Sequence, residues 1–202
     1  MKKIKLIPLK NLFGEPYSTR NHSLFYFNNE LRFDFDDDGS IEFIEFLGGF
    51  DGKLQPVIYG VSAFRTPADT LYNVLSKENQ GEIDDSEDGY SYGFLNISVG
   101  VYRPSVPQDV EDLIAEAIAD KKPMDEAEIE DEMKKANYWA TIGIGVRDYY
   151  RQPGLCFARP LFSQLSKLCL PISAGLSPLS QQNHCESVSF QVTIYTIPHQ
   201  YH

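Results

Sequence analysis

Apolar and polar residues alternate over three short runs early in the chain, Ser23-Leu-Phe-Tyr-Phe27, Glu30-Leu-Arg-Phe-Asp-Phe35 and Ser40-Ile-Glu-Phe-Ile-Glu-Phe46. A period near two is that of strands with one buried face. Asn28-Asn29 and Asp37-Asp38-Gly39 separate the runs, and Asn, Asp and Gly tolerate the positive φ of tight hairpins, so the pattern predicts a three-stranded meander. Ahead of it, Leu12-Phe-Gly-Glu-Pro16 reads as the end of a short helical turn stopped by glycine and proline.

The pattern then repeats. Thr66-Pro67-Ala68-Asp69 predicts a helix start, with Thr66 as cap, Pro67 in the first position and Asp69 as a capping-box-like acid; Leu71, Val74 and Leu75 mark its apolar face. Gly89-Tyr-Ser-Tyr-Gly-Phe94, Ile97-Ser-Val-Gly-Val-Tyr-Arg103 and Tyr138-Trp-Ala-Thr-Ile-Gly-Ile-Gly-Val146 read as three more strands, the first two joined at Leu95-Asn96. The expected fold class is therefore α+β: two helix-plus-antiparallel-meander units, about residues 9–50 and 56–150, forming one sheet-based core. A two-helix insertion, about residues 105–136, interrupts the second unit. Val110, Leu113, Ile114, Ala117 and Ile118 give its first helix an apolar stripe, and Pro123 is placed at the start of the second, whose acids read as a solvated face. Trp139 is expected in the core, and the glycines of Gly143-Ile-Gly-Val146 are expected to admit a neighbouring element close to the sheet.

Charge divides the chain of 202 residues into two parts. Residues 1–152 hold 16 basic and 28 acidic side chains, whereas residues 153–202 hold only Arg159, Lys167 and Glu186. That tail carries Cys156, Cys169 and Cys185 and three of the four histidines, and only Ser187-Val-Ser-Phe-Gln-Val-Thr-Ile-Tyr-Thr-Ile197 alternates like a strand. Three readings of it stay open: an extension packed on the domain, a poorly ordered appendage, or sequence not native to the domain. The body, residues 1–152, is expected to be structurally complete without it. An odd cysteine count without a CxxC spacing gives neither a disulfide framework nor a zinc site. The net charge of -11 repels nucleic acid and anionic membrane surfaces, so neither is an expected partner, and a basic protein is the electrostatic complement. No apolar run reaches the roughly 20 residues that cross a bilayer, and Pro8 interrupts the first apolar stretch, so a cytoplasmic location is expected.

Candidate chemistry is sparse. Asp34-Phe-Asp36-Asp-Asp38-Gly39 with Glu45 satisfies the spacing of a calcium loop, but that loop needs a helix on each side and the flanking residues alternate as strands do. A hairpin with outward, turn-forming acids is the preferred reading. No GxSxG, HExxH, phosphate loop or Cys/His pair is present, so no catalytic residue, metal or cofactor is expected and the chain is not read as an enzyme. Glu82-Ile-Asp-Asp-Ser-Glu-Asp-Gly89 sets negative charge beside Tyr90 and Tyr92, the composition of an interface anchor. Asp84, Asp85, Glu87, Asp88, Tyr90 and Tyr92 are therefore the candidate partner-binding residues, with Asp36, Asp37 and Asp38 at what reads as the matching turn of the first unit.

Phe64-Arg-Thr-Pro-Ala-Asp69, Glu87-Asp-Gly-Tyr-Ser-Tyr92 and Thr141-Ile-Gly-Ile-Gly-Val146 carry a resemblance. Over about residues 12–150 the chain resembles uncharacterised bacterial proteins read as immunity proteins of polymorphic or contact-dependent toxin systems. More distantly it resembles the beta-lactamase-inhibitor-like fold, in which Leu-Gly-x-Pro ends the helix; Leu12-Phe-Gly-Glu-Pro16 inserts a residue, and the leading helix reads as nearly absent. The tail after Gln152 belongs to neither. The resemblance implies a cytosolic protein that neutralises a basic toxin, such as a nuclease, by occlusion; a calcium-binding or generic acidic scaffold is the alternative.

Overall fold

The computed structural model describes residues 6–151 and 193–196. Helix α1 (Leu6–Phe13) leads into β1 (Ser18–Arg20), β2 (Ser23–Tyr26), β3 (Leu31–Phe35) and β4 (Ile41–Phe46); β5 (Leu54–Ile58) and β6 (Val61–Ser62) precede α2 (Ala68–Asn79). Then come β7 (Ile83–Asp84), β8 (Ser91–Phe94), β9 (Val99–Tyr102), α3 (Pro107–Ala119), α4 (Glu126–Asn137), β10 (Thr141–Gly145), a 3-10 turn (Tyr149–Arg151) and β11 (Thr193–Thr196).

The α+β class and the doubled unit both appear in the sheet order. Eight antiparallel strands run β1-β2-β3-β4-β10-β9-β8-β7, so each unit is a four-stranded meander and the two meet at the β4–β10 pair. Each meander has one strand more than the alternation predicted, because β1 and β7 are edge strands of three and two residues, too short to show a period. The leading helix is also present, with eight residues, and ends at Gly14, whose φ of +78° gives the left-handed stop that its sequence predicts. The Asn28-Asn29 and Asp37-Gly39 hairpins lie where expected, but β8 and β9 are joined by four residues, 95–98, with Ser98 at φ +49°.

Successive rows of paired residues bury one face of the sheet. Leu31, Phe46, Ile142 and Val101 form one row, and Leu24, Phe33, Ile44, Ile144, Val99 and Phe94 the next. Leu71 and Leu75 of α2, with Leu9 of α1, Leu54, Ile58, Phe64 and Trp139, pack against this face, and Trp139 donates its indole N–H to Ala68 O at 3.2 Å. Trp139 is thus core, and Val74 is only half-buried. Thr66 does not cap α2. The cap position is Pro67, with no side-chain hydrogen bond, and the turn instead closes through Thr66 N–H to Ser62 O.

A second, smaller sheet has the order β11-β5-β6. β11 lies inside the alternating 187–197 run and pairs antiparallel with β5, Thr193 opposite Val57 and Thr196 opposite Leu54. These four residues add a strand to the small sheet, while the eight-stranded sheet formed by the two units has its last strand at β10. The rest of that run and the three cysteines lie outside the described residues. No helix of the described residues is long and apolar enough to cross a membrane.

Candidate functional site

The chain leaves the sheet after Tyr102 and returns at Thr141, and α3 and α4 fill the excursion. Asp125 starts α4 rather than Pro123: its carboxylate accepts Glu128 N–H at 2.9 Å and Glu128 accepts Asp125 N–H at 3.1 Å, a reciprocal pair that satisfies two amides with no helical partner. The stripe along α3 does not become core. Only Val110 is buried there, and only Ala136 on α4, while Leu113 is 41% and Ile118 63% exposed.

One arginine fastens this helical pair to the sheet. Arg103 is 7% exposed and donates from Nε to Gly89 O at 2.9 Å and from Nη1 to Ala136 O at 2.6 Å, with its guanidinium 5.1 Å above the Trp139 ring. It thus joins the 85–89 turn to the last turn of α4, where unpaired carbonyls favour a cation. Tyr90 adds a second tie, donating its hydroxyl to both oxygens of Asp109 at 2.7 and 2.8 Å. Asp109 also accepts Val106 N–H at 2.9 Å; that amide first, and the Tyr90 hydroxyl after it, hold the carboxyl below its ordinary range, while the same bond pushes the phenol up.

The candidate partner-binding residues divide accordingly. Tyr90 is engaged by Asp109, and Tyr92 turns inward, its ring 4.7 Å from Tyr72 and 5.9 Å from Trp139. Both are structural ties. Glu87 accepts from Ser91 Oγ at 2.8 Å and Asp84 from Ser86 N–H at 3.1 Å, while Asp85 and Asp88 are exposed. Asp88 and Gly89 have φ of +44° and +88°, so the acid-then-glycine signal is that of a turn.

Asp36, Asp37 and Asp38 stand elsewhere. The start of β4 lies beside the end of β10, through the Phe43–Gly145 pair, and in line with the β8–β9 turn, through Ile144–Val99 and Val99–Phe94. The 85–89 turn lies at the opposite end of the strands, where Ser91 opposes Tyr102 and Tyr102 opposes Thr141. The two acidic turns are therefore at opposite ends of the sheet and do not form one surface. Asp36 accepts Ser40 N–H at 2.7 Å and serves its own hairpin.

The 84–88 turn shares its end of the sheet with the helical pair. Residues 105–137 hold eleven acids and four lysines, and residues 84–88 four acids and no base. Together these segments carry -11, the net charge of the whole chain, so all other residues sum to zero. Lys135 is already paired with Asp131 at 2.8 Å and Glu132 at 2.6 Å, and Lys134 with Asp51 at 2.6 Å. Between α3 and α4 runs an open groove of about 410 Å³, lined by Leu113, Ala117 and Met124 with five acids and Lys122.

The sheet face away from the core holds a second polar group that the sequence reading missed. Arg32 donates to Asp34 from Nε at 2.8 Å and to Glu45 from Nη1 at 3.1 Å. These are the first and last acids of the calcium-loop spacing, so in the β3–β4 hairpin both are taken up by a guanidinium. Burial pushes the Glu45 carboxyl up to about 7, against the opposing pull of Arg32. Tyr149 stacks on Phe43 at 4.7 Å, and a Cβ at Gly145 or Gly143 would overlap Tyr149 or Tyr150, which is the close approach expected of those glycines. Among the described residues no group of three or more His, Cys, Asp or Glu is placed to hold a metal ion. Comparison with protein-family models, curated proteins and solved structures finds no match to this chain.

Proposed function

We propose that the chain is an acidic protein-binding protein that neutralises a basic partner by covering its working surface, as an immunity protein covers a cytosolic toxin such as a nuclease. One observation carries the reading: the entire net charge of -11 resides in residues 84–88 and 105–137, on a lobe fastened by Arg103 and Tyr90. Acidity serving solubility alone has no need to concentrate on one lobe while the rest of the chain balances to zero. A one-sided field does have a use, since it steers a basic partner into one orientation and raises the association rate. Occlusion then needs no catalytic group.

The test is a pull-down and a protection assay with the protein encoded by the adjacent gene, using full-length protein. Reversing Asp85, Asp88, Glu116 and Asp120 to lysine is expected to abolish protection. Reversing Asp37 and Asp38 leaves it intact. Retained protection by the folded lobe variant would remove this reading.

A further inference from the structure

Charge alone does not account for the apolar floor of the lobe. Leu113 and Ala117 lie one helical turn apart on α3 and line the groove with Met124 of the α3–α4 connection, and Leu113 is 41% exposed. A helix pair serving only as a solvated acidic face has no use for an apolar stripe that its neighbours leave uncovered. The α3 side carries Glu116 and Asp120; on the α4 side Asp131 and Glu132 are paired with Lys135 and Glu128 caps Asp125, and Lys122 also lines the groove. A segment lying in this groove therefore meets aliphatic surface together with the carboxylates of Glu116 and Asp120.

We infer that the α3–α4 groove receives a short amphipathic basic helix of the partner, seating one or two large apolar side chains on Leu113, Ala117 and Met124 while flanking lysines or arginines pair with the wall carboxylates. The inference rests on the acidic-lobe reading and deepens it by naming what docks. A helix fits better than a strand. Both walls are α-helices whose backbone groups are used internally, so no free sheet edge is offered, and a helix laid in a groove is the mode left open. At about 410 Å³ the groove is at the small end of ligand sites, the size of a few side chains. The desolvated apolar contact would set the lifetime of the complex and the rim charges its rate of formation.

The experiment uses the full-length protein and two synthetic amidated peptides of fourteen residues: a lysine–leucine peptide with leucines at helical spacing, and oligolysine. Binding is read by fluorescence anisotropy at about 0.15 M salt. The amphipathic peptide is expected to bind at least about tenfold tighter than oligolysine. Leu113→Ser should bring it to within about twofold of oligolysine, leaving oligolysine binding unchanged. The substitution is at an exposed position, and amide-exchange protection of the unmodified protein gives an independent reading: protection gained in α3 and α4 supports the inference, and protection gained only elsewhere overturns it. Equal affinity for the two peptides overturns the groove while leaving the acidic lobe standing. If Glu116→Lys with Asp120→Lys weakens neither peptide, the acidic-lobe reading fails as well.

Discussion

The two units pass from their third to their fourth strand by opposite means. In the first, β3 turns into β4 through five residues, 36–40, whose acids serve the hairpin; in the second, the same step from β9 to β10 takes 38 residues and two helices, with Arg103 holding the excursion to the sheet. The units meet as neighbouring antiparallel strands, so equivalent connections point to opposite ends of the sheet. Duplication therefore does not duplicate a surface. It yields one tight end and one end free to carry an acidic lobe, and a partner meeting the lobe has no reason to touch the acids of the short turn.

Removing the anchor of the long connection should have the largest effect. Arg103→Ala strips the Gly89 and Ala136 carbonyls of their donor and uncovers Trp139, so a loss of about 3 kcal/mol is expected, roughly 6–12 °C in melting temperature. Nothing in the 36–40 turn offers a comparable target. Thermal melting checks this, and a shift of under about 2 °C would show the lobe to be held in some other way.

Next is the Arg32 group beside the short turn. Glu45 has a folded pKa of about 7, raised from 4.5 by burial, so the folded state holds its proton more tightly than the unfolded chain. Its contribution to stability is fully present below pH 4.5 and is lost as pH rises through about 7. The difference between 4.5 and about 7 corresponds to at most about 3.4 kcal/mol. Glu45→Gln should therefore flatten the fall in stability between pH 5 and pH 8, while Arg32 keeps Asp34 as its partner. Denaturant midpoints at the two pH values decide it, and an unchanged slope would mean that Glu45 is ionised throughout.

Charge reversal compares the two ends directly. Asp85→Lys with Asp88→Lys is expected to slow association with the adjacent-gene protein by about tenfold at low salt, an effect that shrinks as screening shortens to about 8 Å near 0.15 M. Asp37→Lys with Asp38→Lys should change the rate by less than twofold. Stopped-flow mixing separates the pairs, and equal slowing by both would place the short turn on the interface.

The smallest effect compares two helix starts. Asp125→Ala should cost about 1 kcal/mol, because the carboxylate caps α4. Thr66→Ala should cost under about 0.5 kcal/mol, since its side chain caps nothing. If the two losses in denaturant midpoint are equal, the assignment of the caps is wrong.

The sequence by itself determined the α+β class, the repeated unit, the central strands, the two-helix insertion and the concentration of charge. These follow from period, turn chemistry and composition, which act over a few residues. It did not reveal the edge strands β1 and β7, where two or three residues show no period, nor the cap of α4, where Pro123 drew attention from the reciprocal Asp125–Glu128 pair. Tyr90 beside four acids read as an anchor for another protein, yet its acid is Asp109, nineteen residues on. Asp34 and Glu45 matched a calcium spacing, yet pairing of β3 with β4 delivers both to Arg32. Leu113 and Ile118 read as part of an apolar stripe, and the packing of α3 beside α4 leaves both exposed. Each of these turned on which distant strand or helix lies alongside. Long-range pairing sets the end of the sheet on which a turn falls and the residue that a side chain meets, and the antiparallel meeting of β4 with β10 carried the two acidic turns apart.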